Sequence, residues 1–134
     1  MTPAVEKQKF QAISQRDSGK SVVLVVDNHK EVLRFIEIDL EIRGFEVITS
    51  TSGEEALRLV DSARPNIMLL DIMIPGMGGF EVLRQLRDYS QLPVIAFSVS
   101  EDNQREALRV GATDFVKKPF YPDELADKIK CILD

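Results

Sequence analysis

Apolar residues fall along this chain in two kinds of stretch, and the alternation between them predicts its elements. Short continuous runs read as strands: "SVVLVV" at 21–26, "FEVIT" at 45–49, "NIMLLD" at 66–71, "PVIAFS" at 93–98 and "TDFVKK" at 113–118. Between them the apolar positions recur at helical spacing. Val32, Leu33, Ile36 and Leu40 follow the first run, and Gly44 supplies a stop. Ala56, Leu57 and Val60 lie behind Ser52 and Glu55, which have the spacing of a capping box. "FEVLRQLRDY" at 80–89 and "EDNQREALRV" at 101–110, closed by Gly111, read as the third and fourth helices. Pro122 opens the last helix, with Leu125, Ile129 and Ile132 on one face. Residues 1–20 are mostly polar, and Asp17, Ser18 and Gly19 have turn chemistry. They read as a flexible or partly helical N-terminal extension to a domain spanning 21–134.

Five strands thus alternate with five helices. The strands are continuously apolar rather than alternating, which is the pattern of a parallel sheet covered on both faces. Right-handed crossovers point to an open doubly wound α/β sheet in the order 2-1-3-4-5. Its functional crevice is expected at the carboxyl ends of the strands, near the switch between strands 1 and 3. At 134 residues the chain is too short for an eightfold barrel and suits one core.

Charge and composition then narrow the function classes. A net charge of −5 argues against nucleic-acid binding by this domain, because phosphate neutralisation needs clustered Lys and Arg. Cys131 is the only cysteine, so neither an intrachain disulfide nor a cysteine metal cluster can form. No run approaches the ~20 apolar residues of a membrane span, and "MTPAVEKQKF" lacks the apolar core of a signal peptide. The expectation is a cytoplasmic protein without membrane contact.

Polar residues stand where the strands end: Asp27 and Asn28 after strand 1, Asp71 after strand 3, Ser98 after strand 4 and Lys118 after strand 5. Singly, each has an ordinary explanation. Asp27 and Ser98 can cap the following helices, and Lys118 can be a solvated loop cation. Together, two acids, an amide, a hydroxyl and an ammonium on one rim make an inventory for holding a hard divalent cation beside a phosphoryl group. Mg²⁺ takes oxygen ligands from one or two carboxylates plus phosphate and water. A hydroxyl and an ammonium suit the remaining phosphoryl oxygens.

"LLDIMIPGMGGFEVLRQLR", "PVIAFS" and "GATDFVKKPF" resemble, in that order, the receiver domain of two-component response regulators, over about 21–134. The resemblance implies a flavodoxin-like (βα)5 fold and a cytoplasmic signalling switch. It implies that Asp71 accepts phosphate from a sensor histidine kinase or a phosphotransfer protein. It implies Mg²⁺ held by Asp27, the following position Asn28, Asp71 and the backbone carbonyl of Met73. Ser98 stands at the hydroxyl position that hydrogen-bonds the phosphoryl group, Lys118 at the lysine position, and Phe115 at the aromatic switch position. The Lys118–Pro119 peptide is expected to be cis, which only an X–Pro bond makes inexpensive. The face made by the fourth helix, fifth strand and fifth helix (α4-β5-α5) is expected to relay the signal and to meet a downstream protein or a second copy. Two positions depart from the family: Asn28 replaces a second acid, and Gly78 stands where an Asp is common.

His29, the only histidine, reads as a solvated first-turn residue, and Cys131 as an unremarkable neighbour of the last helix's apolar stripe. Glu101, Asp102, Arg105, Glu106 and Arg109 read as a charged face of the fourth helix. Two other functions compete with a switch. Asn28 favours a degenerate receiver that acts as a phosphorylation-independent interaction module. A Mg²⁺-dependent phosphohydrolase lacks its second strand-3 acid, because Ile72 and Met73 follow Asp71, and a flavin protein lacks a glycine in "DNHKE" after strand 1.

Overall fold

The computed structural model describes residues 19–134, so the extension expected over 1–20 lies almost wholly outside the described residues. Elements follow in strict alternation: β1 (Val22–Val26), α1 (Lys30–Ile42), β2 (Glu46–Ser50), α2 (Gly53–Ala63), β3 (Ile67–Asp71), α3 (Gly79–Arg87), β4 (Val94–Ser98), α4 (Asn103–Val110), β5 (Asp114–Lys117) and α5 (Pro122–Leu133). All strand pairs are parallel, in the order β2-β1-β3-β4-β5. This is the open, doubly wound sheet that the apolar runs predict, and the flavodoxin-like (βα)5 fold that the resemblance implied.

Burial explains why the strands carry no polar face. Val22, Leu24 and Val26 of β1 pack with Ala56 and Leu59 of α2, Val82 and Leu86 of α3 and Ala107 of α4 on one side of the sheet. Val23 and Val25 pack with Leu33, Ile36 and Leu40 of α1 and Leu125 and Ile129 of α5 on the other. Each fully buried aliphatic side chain contributes about 1.5–3 kcal/mol of transfer free energy, so a polar residue within either row is costly. Polar chemistry is thereby driven to the strand ends.

Helix boundaries show where local chemistry overrides periodicity. Ser52 caps α2 by accepting from the Glu55 backbone N–H at 3.2 Å, but the reciprocal half of the expected box is absent. Glu55 instead accepts from the Ser50 hydroxyl at 2.8 Å, tying the helix to the end of β2. Glu101 and Asp102, expected on the fourth helix, lie in the turn before it. There the Ser100 hydroxyl accepts from the Asp102 N–H at 3.2 Å and the Ser100 carbonyl from the Asn103 N–H at 3.2 Å, so α4 begins at Asn103. Cys131 is exposed, because two residues beyond Ile129 is about 200° around a helix from the buried stripe.

Gly111 ends α4 with φ +128°, and a Cβ there would come within 2.8 Å of the Arg87 side chain. Arg87 lies across it, donating from Nε to the Gly111 carbonyl at 3.0 Å and from Nη1 to the Ser90 carbonyl at 3.0 Å. Burial lowers the Arg87 pKa from its ordinary value. The Lys118–Pro119 peptide is cis, as the resemblance implied.

Candidate functional site at the carboxyl rim of the sheet

Sheet register brings the two acids together. Val26 pairs with Leu70 across β1 and β3, so Asp27 and Asp71 are the next residues of their strands and emerge side by side. Both are buried, at 0% and 3% exposure. Lys118 follows β5 directly, held by its N–H on the Ser98 carbonyl at 2.8 Å, which prolongs the β4–β5 pairing by one residue. Its side chain reaches back along the rim and places Nζ 4.8 Å from the centre of the Phe97 ring.

That ammonium spans the two acids, donating to Asp27 Oδ2 at 2.7 Å and to Asp71 Oδ2 at 3.3 Å. The remaining oxygens are held by backbone. Asp27 Oδ1 accepts from the His29 N–H at 2.8 Å, and Asp71 Oδ1 accepts from the Met73 N–H at 2.9 Å. Asp27 therefore also shapes the entry to α1, so the ordinary explanation holds in part, although His29 and not Asp27 is the cap residue. Two carboxylates and one ammonium sum to a charge of −1 in a mostly buried site; a divalent cation would bring the sum to +1, and the one further negative charge that a carboxylate gains on becoming an acyl phosphate would bring it to zero. Oxygen donors of this kind fit Mg²⁺.

Ser98 is fully buried at the end of β4, where its Oγ accepts from Asn103 Nδ2 at 2.8 Å and from the Ser100 N–H at 3.2 Å. Phe115 is 6% exposed, with its ring packed into the core. Asn28 is exposed on the loop beside Asp27, and Met73 is exposed beside Asp71.

Sequence reasoning missed three contributors to this rim. His29 places Nδ1 3.2 Å from Asp27 Oδ1, and donor atoms of Asp27, His29 and Asp71 all lie within 4.8 Å of one another. Asn103 reaches Ser98 across five residues, a contact no periodicity signals. Gly79 sits against the end of β3: a Cβ there would lie 2.5 Å from Ile72 Cα and 2.9 Å from the Asp71 carbonyl oxygen. The paired glycines after Asp71 were the available signal for such a close approach.

Known proteins share this sequence pattern and fold. A family described as the response regulator receiver domain matches residues 23–130. The chain is 38% identical over 117 residues to a probable transcriptional regulator, ycf27, of Cyanophora paradoxa, covering 86% of this chain and 49% of that protein. It is 35% identical over 114 residues to the alkaline phosphatase synthesis transcriptional regulatory protein PhoP of Bacillus subtilis, covering 83% of this chain and 48% of that one. The chain thus spans about half the length of these curated relatives. Among solved structures, the Francisella response regulator 1452 receiver domain superposes with a TM-score of 0.80 at 32% identity, covering 85% of this chain and 97% of that one. Family match, relatives and fold agree, and the chain belongs to the response regulator receiver domain family of two-component systems.

Proposed function

We propose that this domain is a phosphoacceptor switch in which Asp71 takes a phosphoryl group from a histidine kinase or phosphotransfer protein. The observation that carries the reading is the Lys118 ammonium placed on both Asp27 and Asp71, at 2.7 and 3.3 Å. A cation there can follow the charge as it moves from the Asp71 carboxylate to the phosphoryl oxygens, with little reorganisation. In the transfer, one Asp71 oxygen forms the new bond to phosphorus while the bond from phosphorus to the donor imidazole breaks, and the leaving imidazole takes up a proton. Asp27, Asn28, Asp71 and the Met73 carbonyl would hold Mg²⁺, which when bound neutralises phosphoryl charge. In this sense the domain promotes its own phosphorylation and dephosphorylation.

The surroundings of the acids support the same reading. Beside Lys118, an apolar groove of about 420 Å³, lined by Val32, Phe35, Val99, Pro119 and Phe120, gives a donor protein a seat next to Asp71. Exposed Met73 stands at the approach to Asp71 and restricts the water that would hydrolyse the acyl phosphate. Ser98 and Phe115 occupy adjacent strands, β4 and β5, so a hydroxyl drawn to the phosphoryl group alters the packing next to the ring. The output face is then α4-β5-α5, where Glu101 meets Lys117 at 3.4 Å and Asp114 meets Lys128 at 3.1 Å, and where a downstream protein or a second copy would bind. The reading carries with it a cytoplasmic location, where an ATP-charged kinase supplies the phosphoryl group. A phosphorylation-independent module would have no need of the Asp71–Lys118 pair, which favours the switch.

Incubation with acetyl phosphate and Mg²⁺ tests the assignment. One phosphoryl mass is expected on the wild-type chain and none on Asp71→Asn; labelling that survives the substitution would overturn it.

A further inference from the structure

His29 is the only imidazole in the chain, and its position on the rim is not that of a solvated bystander. The ring side chain is 63% exposed, yet Nδ1 turns inward to Asp27 Oδ1 at 3.2 Å, while Asp27 itself is inaccessible. The His29 N–H also binds Asp27 Oδ1, at 2.8 Å, which holds that carboxylate beside the base of the ring. Together with Asp71, these donor atoms lie within 4.8 Å of one another.

The spacing suits an ion. Two bonds of about 2.1 Å meeting at a right angle separate neighbouring donors by about 3.0 Å, and opposite donors by about 4.2 Å. The Nδ1 to Oδ1 distance of 3.2 Å is close to such an edge, and the 4.8 Å bound on the whole set means that an ion would draw opposite donors together by at most about 0.6 Å. Without an ion, the 3.2 Å contact is one in which Nδ1–H donates to the carboxylate; presenting the Nδ1 lone pair to an ion instead moves the hydrogen to Nε2, the other nitrogen of a largely exposed ring. Asn28, which contributes no charge, leaves the ion more dependent on whatever other donors the rim offers. Imidazole is a poor ligand for Mg²⁺ but a good one for Zn²⁺, Ni²⁺ and their neighbours.

We propose that His29 Nδ1 joins Asp27 and Asp71 as a ligand, so that this rim binds imidazole-accepting transition ions and not only Mg²⁺. The inference rests on reading Asp27 and Asp71 as the metal-facing carboxylates. It adds a nitrogen ligand to the oxygen set expected from the family, and with it a different choice of metal.

Ni²⁺ and Mg²⁺ titrations of the full chain, free of any histidine tag, provide the test, with calorimetry for affinity and amide NMR for location. Carboxylate sites also favour Ni²⁺ over several other first-row ions, so the informative quantity is the dependence on His29. In His29→Ala, the ratio of Ni²⁺ to Mg²⁺ affinity should fall by on the order of tenfold or more. In the wild type, Ni²⁺ should broaden the amide resonances of Asp27 and Asp71 first, a readout that needs no variant. A ratio unchanged in His29→Ala would overturn the proposal, and if Asp27→Asn still lost Mg²⁺ binding the reading of the two acids would stand. Ni²⁺ binding that needs His29 but is indifferent to Asp27→Asn would also overturn it, by placing the ion on a surface imidazole alone.

Discussion

Asn103, the first residue of α4, donates its side-chain amide to Ser98 Oγ at 2.8 Å, joining the strand end that faces the acids to the helix of the proposed output face. This bond and the one from the Ser100 N–H hold the hydroxyl on the α4 side of the rim. A phosphoryl group on Asp71 must compete with them for Ser98. Neutral hydrogen bonds contribute about 1 kcal/mol net, equivalent to roughly a fivefold change in an equilibrium. Asn103→Ala should therefore tighten the binding of a beryllium fluoride phosphate mimic by about fivefold. Titration followed by amide NMR checks this, and weaker binding would mean that Asn103 orients Ser98 instead of restraining it.

Lys118 and Asp71 should affect stability in opposite directions. Removing the ammonium leaves two buried carboxylates facing each other, so Lys118→Met should cost about 3 kcal/mol at neutral pH without metal. Asp71→Asn removes repulsion against Asp27 and one buried charge, while the 2.7 Å Lys118–Asp27 pair remains. It should stabilise the fold by on the order of 1 kcal/mol. Urea unfolding of the three proteins gives both signs in one experiment.

Gly79 and Gly78 form a matched pair. A Cβ on Gly79 would be driven into Ile72 Cα and the Asp71 carbonyl, whereas on Gly78 the nearest atoms are 3.9 Å away. Gly79→Ala should cost about 1–3 kcal/mol and slow phosphorylation by displacing the end of β3. Gly78→Ala should change both little. Equal effects in the two variants would show that backbone freedom, and not the approach to Asp71, sets the requirement.

Asn28→Asp restores the charge that the family usually carries beside Asp27. Mg²⁺ binding to the unphosphorylated protein should tighten by on the order of tenfold, the equivalent of about 1.4 kcal/mol. A Mg²⁺ titration followed by NMR measures it, and equal or weaker affinity would place Asn28 away from the ion.

The strands were legible because burial on both faces leaves an unbroken apolar signature, as in Val22–Val26 and Ile67–Asp71. The gathering of the candidate site's acids was legible for a related reason: once the sheet order is known, the residues that end the apolar runs must share one rim, which places Asp27 beside Asp71. What escaped were contacts set by side-chain direction. The turn of the His29 ring toward Asp27, the reach of Asn103 to Ser98 and the packing of Gly79 on Ile72 depend on where loops fold back, and no repeat along the chain encodes that. The start of α4 was misplaced for the same kind of reason. Ser100 collects the N–H groups of Asp102 and Asn103, and this local capture outweighs the helical pattern of the charges that follow.

The central claim is that Asp71 forms an acyl phosphate, and chemical trapping addresses it most directly. Borohydride reduces an aspartyl phosphate to homoserine but leaves a free carboxylate untouched, so treatment after phosphorylation with acetyl phosphate and Mg²⁺, followed by peptide mass mapping, records the modified residue. The account predicts homoserine at position 71 and nowhere else, dependent on Mg²⁺ and lost in Lys118→Met. Homoserine at Asp27 or at another carboxylate, or none at all under conditions that phosphorylate a known receiver, would contradict it.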